Sequence, residues 1–230
     1  VVATARALKL HGGVAKTDLN QPNPDAVTAG CANLGKHIEN MQSYGVPVIV
    51  AVNHFYTDTE EEIQRIQLFC SEMGVDAVVA NIFEQGGAGG TELAEALVKL
   101  IDSSTPDFKP AYALEQPVAD KIRELCRNIY GADEVTFTTK AEKTIAQIEQ
   151  MGYRDLPVCM AKTQYSLSDN PALLGRPAHF TMNVREIRLS AGAGFIVVLT
   201  GEIMSMPGLP KEPAANKLDV YENGEIVGLF

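Results

Sequence analysis

The sequence predicts an α/β protein, and three observations predict it. Helix-spaced apolar positions alternate with short apolar strands, glycine closes one helix after another, and the run at 46–52 is apolar on both faces. A strand of that last kind suits the centre of a parallel sheet covered by helices on either side. Taking the elements in order, Val1, Val2 and Ala3 read as the end of a buried strand. From Val27, the positions Cys31, Leu34, Ile38 and Met41 recur at spacings of three and four, one face of a helix that Gly45 ends. The strand at 46–52 comes next. Thr59 with Glu62 makes a capping box, and three glutamates in the first turn suit the positive end of the helix dipole. That helix turns Ile63, Ile66, Phe69 and Met73 inward and stops at Gly74, before a short strand at 76–80. The glycine-rich segment 86–90 then opens a helix carrying Leu93, Leu97, Leu100 and Ile101.

Residues 103–110 are polar and proline-flanked, the best candidate boundary, which divides the chain into units 1–108 and 109–230. The second unit reads as an α/β domain with a mixed sheet. Its first helix carries Val118, Ile122, Leu125 and Ile129 and ends at Gly131. A second starts on a capping box of Thr139 and Glu142 and ends at Gly152. A strand at 156–161 comes after it. Phe180, Met182 and Val184 alternate, but the next apolar pair is Ile187 and Leu189. The inward face has slipped by one residue, which predicts a β-bulge near Arg185 and Glu186. After Gly192 to Gly194 comes the strand 195–199, then a Pro207–Gly208 turn and a small strand pair around Gly224.

Composition narrows the class. In 230 residues, 46% apolar, Lys and Arg total 19 against 29 Asp and Glu, a net charge of -10. That balance argues against a nucleic-acid backbone or an anionic membrane as the main partner, since either favours a basic face. No apolar run is long enough to span a bilayer as a helix. Cys31, Cys70, Cys126 and Cys159 sit in apolar settings without a CxxC pair, so buried, reduced thiols and a cytoplasmic compartment are expected. The chain opens on strand-like residues without an initiator methionine, which reads as a piece of something longer.

The candidate site lies at strand ends. In an open α/β sheet, ligands bind outside the carboxyl ends of the strands, where the 46–52 strand delivers Asn53, His54, Phe55, Tyr56, Thr57 and Asp58. A polar turn explains the same hexad, because Asn and Asp favour turns. Two neighbouring aromatics in such a loop favour a flat ligand instead. The next strand ends in another aromatic, Phe83. If the two strands are neighbours, Phe55 and Phe83 wall a slot for a planar ring; the alternative, more frequent for a lone Phe, is that Phe83 tucks back into the core. Residues 86–90 offer free N–H groups as an anion seat, yet lack the Gly-Lys-Ser/Thr of a P-loop. In the hydroxyl-rich stretch 161–171, Lys162 is the residue best placed to meet a ligand anion, although such stretches usually bind their own backbone. The small residues at 189–194, Ser190, Ala191 and Gly192 among them, permit close backbone approach to a strand or a ligand. His11, His37, His54 and His179 are scattered and build no metal site.

Several stretches together resemble the C-terminal part of formate–tetrahydrofolate ligase. They are TARALKLHGGV at 4–14, PVIVAVNHFYTDTEEEI at 47–63, GGAGGTELA at 86–94 and KIRELCRNIYGAD at 121–133. LPVCMAKTQYSLSDNPALLGRP at 156–177, IRLSAGAGFIVVLTGEIMSMPGLPKEPAA at 187–215 and the closing IVGLF complete the set. The resemblance implies an enzyme that joins formate to N10 of tetrahydrofolate with ATP and Mg2+, through formyl phosphate. It further implies activation by a monovalent cation, K+ or NH4+, and a homotetramer. The first unit then corresponds to the parallel-sheet remainder of a P-loop-type NTPase domain, and the family's phosphate-gripping residues lie upstream of these stretches. Such a piece is expected to be inactive alone, or to serve as a binding or oligomerisation module. For the folate end, the resemblance implies that Phe55, Tyr56, Val79 and Phe83 contact the pterin. Tyr56 replaces the proline of the family's Phe-Pro, and Phe83 stands where the family usually has tryptophan. Asn53 and Asp58 share that strand end as possible ligand contacts.

Overall fold

The computed structural model describes residues 1–201, 211–224 and 226–228. The first half holds a three-stranded parallel sheet in the order β1-β2-β3, formed by β1 (Val2–Ala3), β2 (Ile49–Asn53) and β3 (Asp76–Ala80). Between β1 and β2 run the helices α1 (Ala5–His11) and α2 (Pro24–Ser43), and α3 (Glu60–Glu72) connects β2 to β3. Val27, Cys31, Leu34 and Ile38 of α2 pack with Val50, Val52, Ile66 and Cys70 in one core, the face that periodicity marks. The two helices come close because α2 carries glycine where it crosses α1: a Cβ on Gly30 would lie 1.9 Å from the Leu8 carbonyl oxygen. After β3 come a single helical turn, α4 (Ile82–Gln85), a 3-10 turn at Gly86–Gly90, and α5 (Thr91–Ser103) against β3 and β2.

The second half builds a mixed four-stranded sheet in the order β4-β6-β7-β5, from β4 (Glu134–Phe137), β5 (Val158–Ala161), β6 (Thr181–Ser190) and β7 (Phe195–Thr200). The outer pairs β4·β6 and β5·β7 are parallel, and the central β6·β7 pair is antiparallel. Helices α6 (Val118–Leu125) and α7 (Thr139–Gln150) cover it with Val118, Ile122, Ile145 and Ile148, against Met182, Val184, Ile187, Ile196 and Val198. The register of β6 against β7 shifts between Val184 and Glu186, where the slipped alternation predicts a bulge. A last antiparallel pair, β8 (Asp219–Val220) with β9 (Ile226–Val227), flanks Gly224 as expected. The expected Pro207–Gly208 turn lies outside the described residues.

Several expectations need correction. Strand β2 starts at Ile49 rather than residue 46, and β5 at Val158 rather than 156, because Pro47 and Pro157 bring no N–H to a ladder. Val2 is an edge residue 70% exposed, not a buried strand position. Strand β4 was not expected: its Glu134, Val135, Thr136 and Phe137 alternate in polarity and exposure, but over only four residues. The helix through Val118 does not run regularly to Gly131; after Leu125 it widens into a π-helical turn, Cys126–Tyr130. The α7 cap is Thr138, whose Oγ1 accepts from the Ala141 N–H, because Thr138 is still extended while Thr139 is already helical. Three cysteines are buried, with burial raising Cys31 and Cys126 to about 12 and Cys70 to about 11, but Cys159 is exposed on the edge strand β5.

The candidate ligand site at the carboxyl ends of β2 and β3

Strands β2 and β3 are parallel neighbours with Asn53 paired to Ala80, so their carboxyl ends lie side by side. The adjacency on which the two-walled slot depends is therefore met. Beyond Asn53, the His54 N–H donates to the Ala80 carbonyl at 3.1 Å and keeps the chains together one residue further. The chain then folds into a tight turn. The Phe55 N–H donates to Asp58 Oδ2 at 2.9 Å, and the Asp58 N–H returns to the Phe55 carbonyl at 2.9 Å. Those bonds fix the turn's backbone and leave its side chains outward: Phe55 is 37% exposed and Tyr56 88%. Oδ1 of Asp58 is buried without a protein partner.

On the neighbouring strand, Phe83 belongs to α4 and is 93% exposed, with Ile82 beside it half exposed. It does not tuck into the core. Asn81 holds this turn in place: its side-chain amide donates to Glu84 Oε2 at 2.7 Å and its N–H to the Gly89 carbonyl at 3.0 Å. Residue 89 must be glycine there, since a Cβ would sit 2.1 Å from the Asn81 carbonyl oxygen. Burying a phenylalanine side chain is worth roughly 1.5–3 kcal/mol, so leaving Phe83 in water forgoes a gain that a flat ligand can recover. Next to the aromatics lies a polar cleft of about 380 Å³ lined by Val79, Gln67, Asn81, Gln85, Glu60 and Glu92. Its amides and carboxylates offer both donors and acceptors, and Val79 gives it an apolar wall.

The remaining candidate residues are spread out. Asn53 is half-buried in β2. Lys162 lies just after β5 and is half-buried; its ammonium donates to the Thr163 carbonyl at 2.8 Å and to the Ser166 carbonyl, 5.3 Å from the Tyr130 ring centroid. Burial lowers its pKa, with Asp169 opposing. Around it, Ser166 and Ser168 bind backbone groups of the same loop, so this stretch holds its own chain together. Ser190, Ala191 and Gly192 belong to the turn between β6 and β7, where Ser190 accepts from Ala193 and Gly194. Because β5 and β7 are parallel, with Ala161 opposite Leu199, Lys162 and this turn lie at opposite ends of β7. They do not form one site. The cleft residues Gln67, Asn81 and Gln85 were not singled out in the sequence; of the three, Asn81 carries a local signal, its position directly after a strand end.

This arrangement defines the class: an α/β protein with exposed aromatics at the carboxyl edge of a parallel sheet, the edge where such sheets generally bind ligands. Comparison with known families goes further. The family model described as formate–tetrahydrofolate ligase matches residues 1–230, and the chain belongs to that ligase family.

Proposed function

We propose that the chain is the folate-binding portion of a formate–tetrahydrofolate ligase. The reaction transfers a phosphoryl group from ATP to formate, and N10 of tetrahydrofolate then displaces phosphate from the resulting formyl phosphate to give 10-formyltetrahydrofolate. The observation that supports this role is the pair of exposed aromatic elements, Phe55 with Tyr56 and Phe83, on adjacent strand ends. Rings on two sides suit a pterin, and Val79 and the polar cleft suit its apolar flank and its hydrogen-bonding edge. Asn53 and Asp58 stand beside this surface as secondary contacts; Lys162 and Ser190 to Gly192 belong to a separate region.

ATP and Mg2+ fit these residues poorly. No GxxxxGK[ST] occurs in the 230 residues, the turn at Gly86–Gly90 carries no lysine, and no three His, Cys, Asp or Glu side chains among the described residues gather as metal ligands. In the proposed enzyme, phosphate binding belongs to a P-loop region supplied outside these residues. The first unit, 1–108, is then the folate-bearing part of an NTPase-like domain, and 109–230 a second α/β domain, a division supported by the two separate cores. A cytoplasmic homotetramer activated by K+ or NH4+ completes the reading.

Titrating 5-formyltetrahydrofolate into the chain tests it. Phe55→Ala and Phe83→Ala are each expected to weaken binding about tenfold, the loss of one stacked ring. Wild-type affinity in both variants would overturn the folate slot. Adding a P-loop-bearing partner chain tests the rest: formyl transfer from formate and ATP is expected only in the mixture. A second reading, an inactive oligomerisation module, is favoured by α5, where Leu97, Val98 and Ile101 stay exposed. A stable oligomer that does not bind folate is the result that selects it.

A further inference from the structure

Glu62 does more than close a capping box. Both of its carboxylate oxygens are occupied, and the side chain is wholly buried. Oε2 accepts from the Thr59 N–H at 2.9 Å and from Thr59 Oγ1 at 3.1 Å, while Thr59 Oγ1 accepts from the Glu62 N–H. Those bonds are the box itself. Oε1 adds two partners that capping does not need: the Asn23 N–H at 2.8 Å and the equally buried Lys9 ammonium at 3.0 Å. Lys9 also donates to the Gln21 carbonyl at 3.0 Å. One carboxylate thus fastens α1, the entry to α2 and the first residue before α3 to a common point.

Thr59 is next in the chain to Asp58, whose carboxylate closes the turn that carries Phe55 and Tyr56. On its other side, the turn is tied to β3 through His54 and Ala80. The aromatic turn is therefore clamped at both ends, and the clamp on the α3 side is Glu62. We propose that Glu62, held by Lys9 and Asn23, is a positioning residue that seats Phe55 and Tyr56 opposite Phe83. The proposal rests on the reading that these rings bind reduced folate.

The test uses the whole chain, with 5-formyltetrahydrofolate titration and hydrogen exchange of the amides at 54–59, well below each variant's thermal midpoint. Glu62→Gln keeps the shape but exchanges an acceptor for a donor, and Thr59→Val removes the hydroxyl while leaving the buried ion pair intact. In both, exchange is expected to quicken at 54–59 while β4 to β7 stay protected. Affinity is expected to fall about tenfold, as when a tenth of the molecules hold the competent arrangement. Thr59→Ser keeps the oxygen and is expected to restore both values. If Glu62→Gln does not fold, the Thr59→Val and Thr59→Ser pair carries the test. Unchanged affinity and unchanged exchange would overturn the proposal, as would exchange that quickens everywhere with affinity intact. Wild-type affinity in Phe55→Ala and Phe83→Ala would instead reject the folate reading, and the exchange result, which needs no ligand, would still decide whether Glu62 holds the turn.

Discussion

Phe83 shows how much a single side chain can signal. On a one-turn helix at a strand end it is almost fully exposed, and nothing in the local packing rewards a large apolar group there. The family's usual tryptophan offers a larger flat face, so Phe83→Trp is expected to tighten 5-formyltetrahydrofolate binding by about 1 kcal/mol. Because the chain has no tryptophan, that variant also creates a single fluorophore whose quenching reads the binding directly. The cysteines differ among themselves for equally local reasons. Cys31, Cys70 and Cys126 are buried and poorly ionised, whereas Cys159 is exposed. One thiol per chain is expected to react rapidly with an aromatic disulfide reagent at neutral pH, the other three reacting only on denaturation, and Cys159→Ser removes the fast phase.

Among the elements, the crossing of α1 and α2 sets the tightest constraint. The Leu8 carbonyl stands where a Cβ on residue 30 would be, and neither backbone can withdraw without opening the core around Val27, Cys31 and Leu34. Gly30→Ala is expected to destabilise the chain by about 1–3 kcal/mol, seen as a lower urea midpoint with little change in slope, despite the better helix propensity of alanine. The site depends on this packing at one remove. Lys9 lies on α1 next to Leu8, so the same crossing carries the ammonium to Glu62. The glycine-rich turn before α5 has a comparable role: Gly89 lets Asn81 bond across the turn and present α4 outward.

Across the whole molecule, the two sheets are joined through one face of α2. The Asn33 side chain donates to the Gly175 carbonyl at 2.8 Å and Asn40 to the Ile129 carbonyl at 2.9 Å. Lys36 donates to the Asn128 carbonyl, and Glu39 forms a two-pronged pair with Arg176. Asn33→Ala leaves the Gly175 carbonyl without its buried donor and is expected to cost about 1–3 kcal/mol in denaturant unfolding. The Gly175 N–H in turn donates to His11 Nδ1 at 3.0 Å, a bond that only the neutral ring can accept. Burial lowers the pKa of His11, with His37 adding to it, and burial lowers that of His37, with Lys162 and Lys36 adding to it. Both rings therefore hold fewer protons folded than unfolded. Stability from this source is complete above the ordinary value of 6.5 and declines as pH falls below it. The thermal midpoint is expected to drop between neutral pH and about pH 5, and less steeply in His11→Gln.

Periodicity by itself determined the α/β class, the inward faces of α2 and α3, and the bulge in β6, because burial on one side of an element repeats along the chain at that element's own period. The strand-end rule likewise made Phe55 and Phe83 legible in the sequence, since it needs only to know where a strand stops. What the sequence left open depends on groups distant in the chain. That β2 and β3 are neighbours, that Glu62 meets Lys9 and Asn23, that Lys162 satisfies its own loop, and that Cys159 faces outward are all outcomes of packing. Local spacing carries the energy of one turn or one ladder, but which strand lies beside which, and which buried charge finds a partner, is decided when the separate elements share a core.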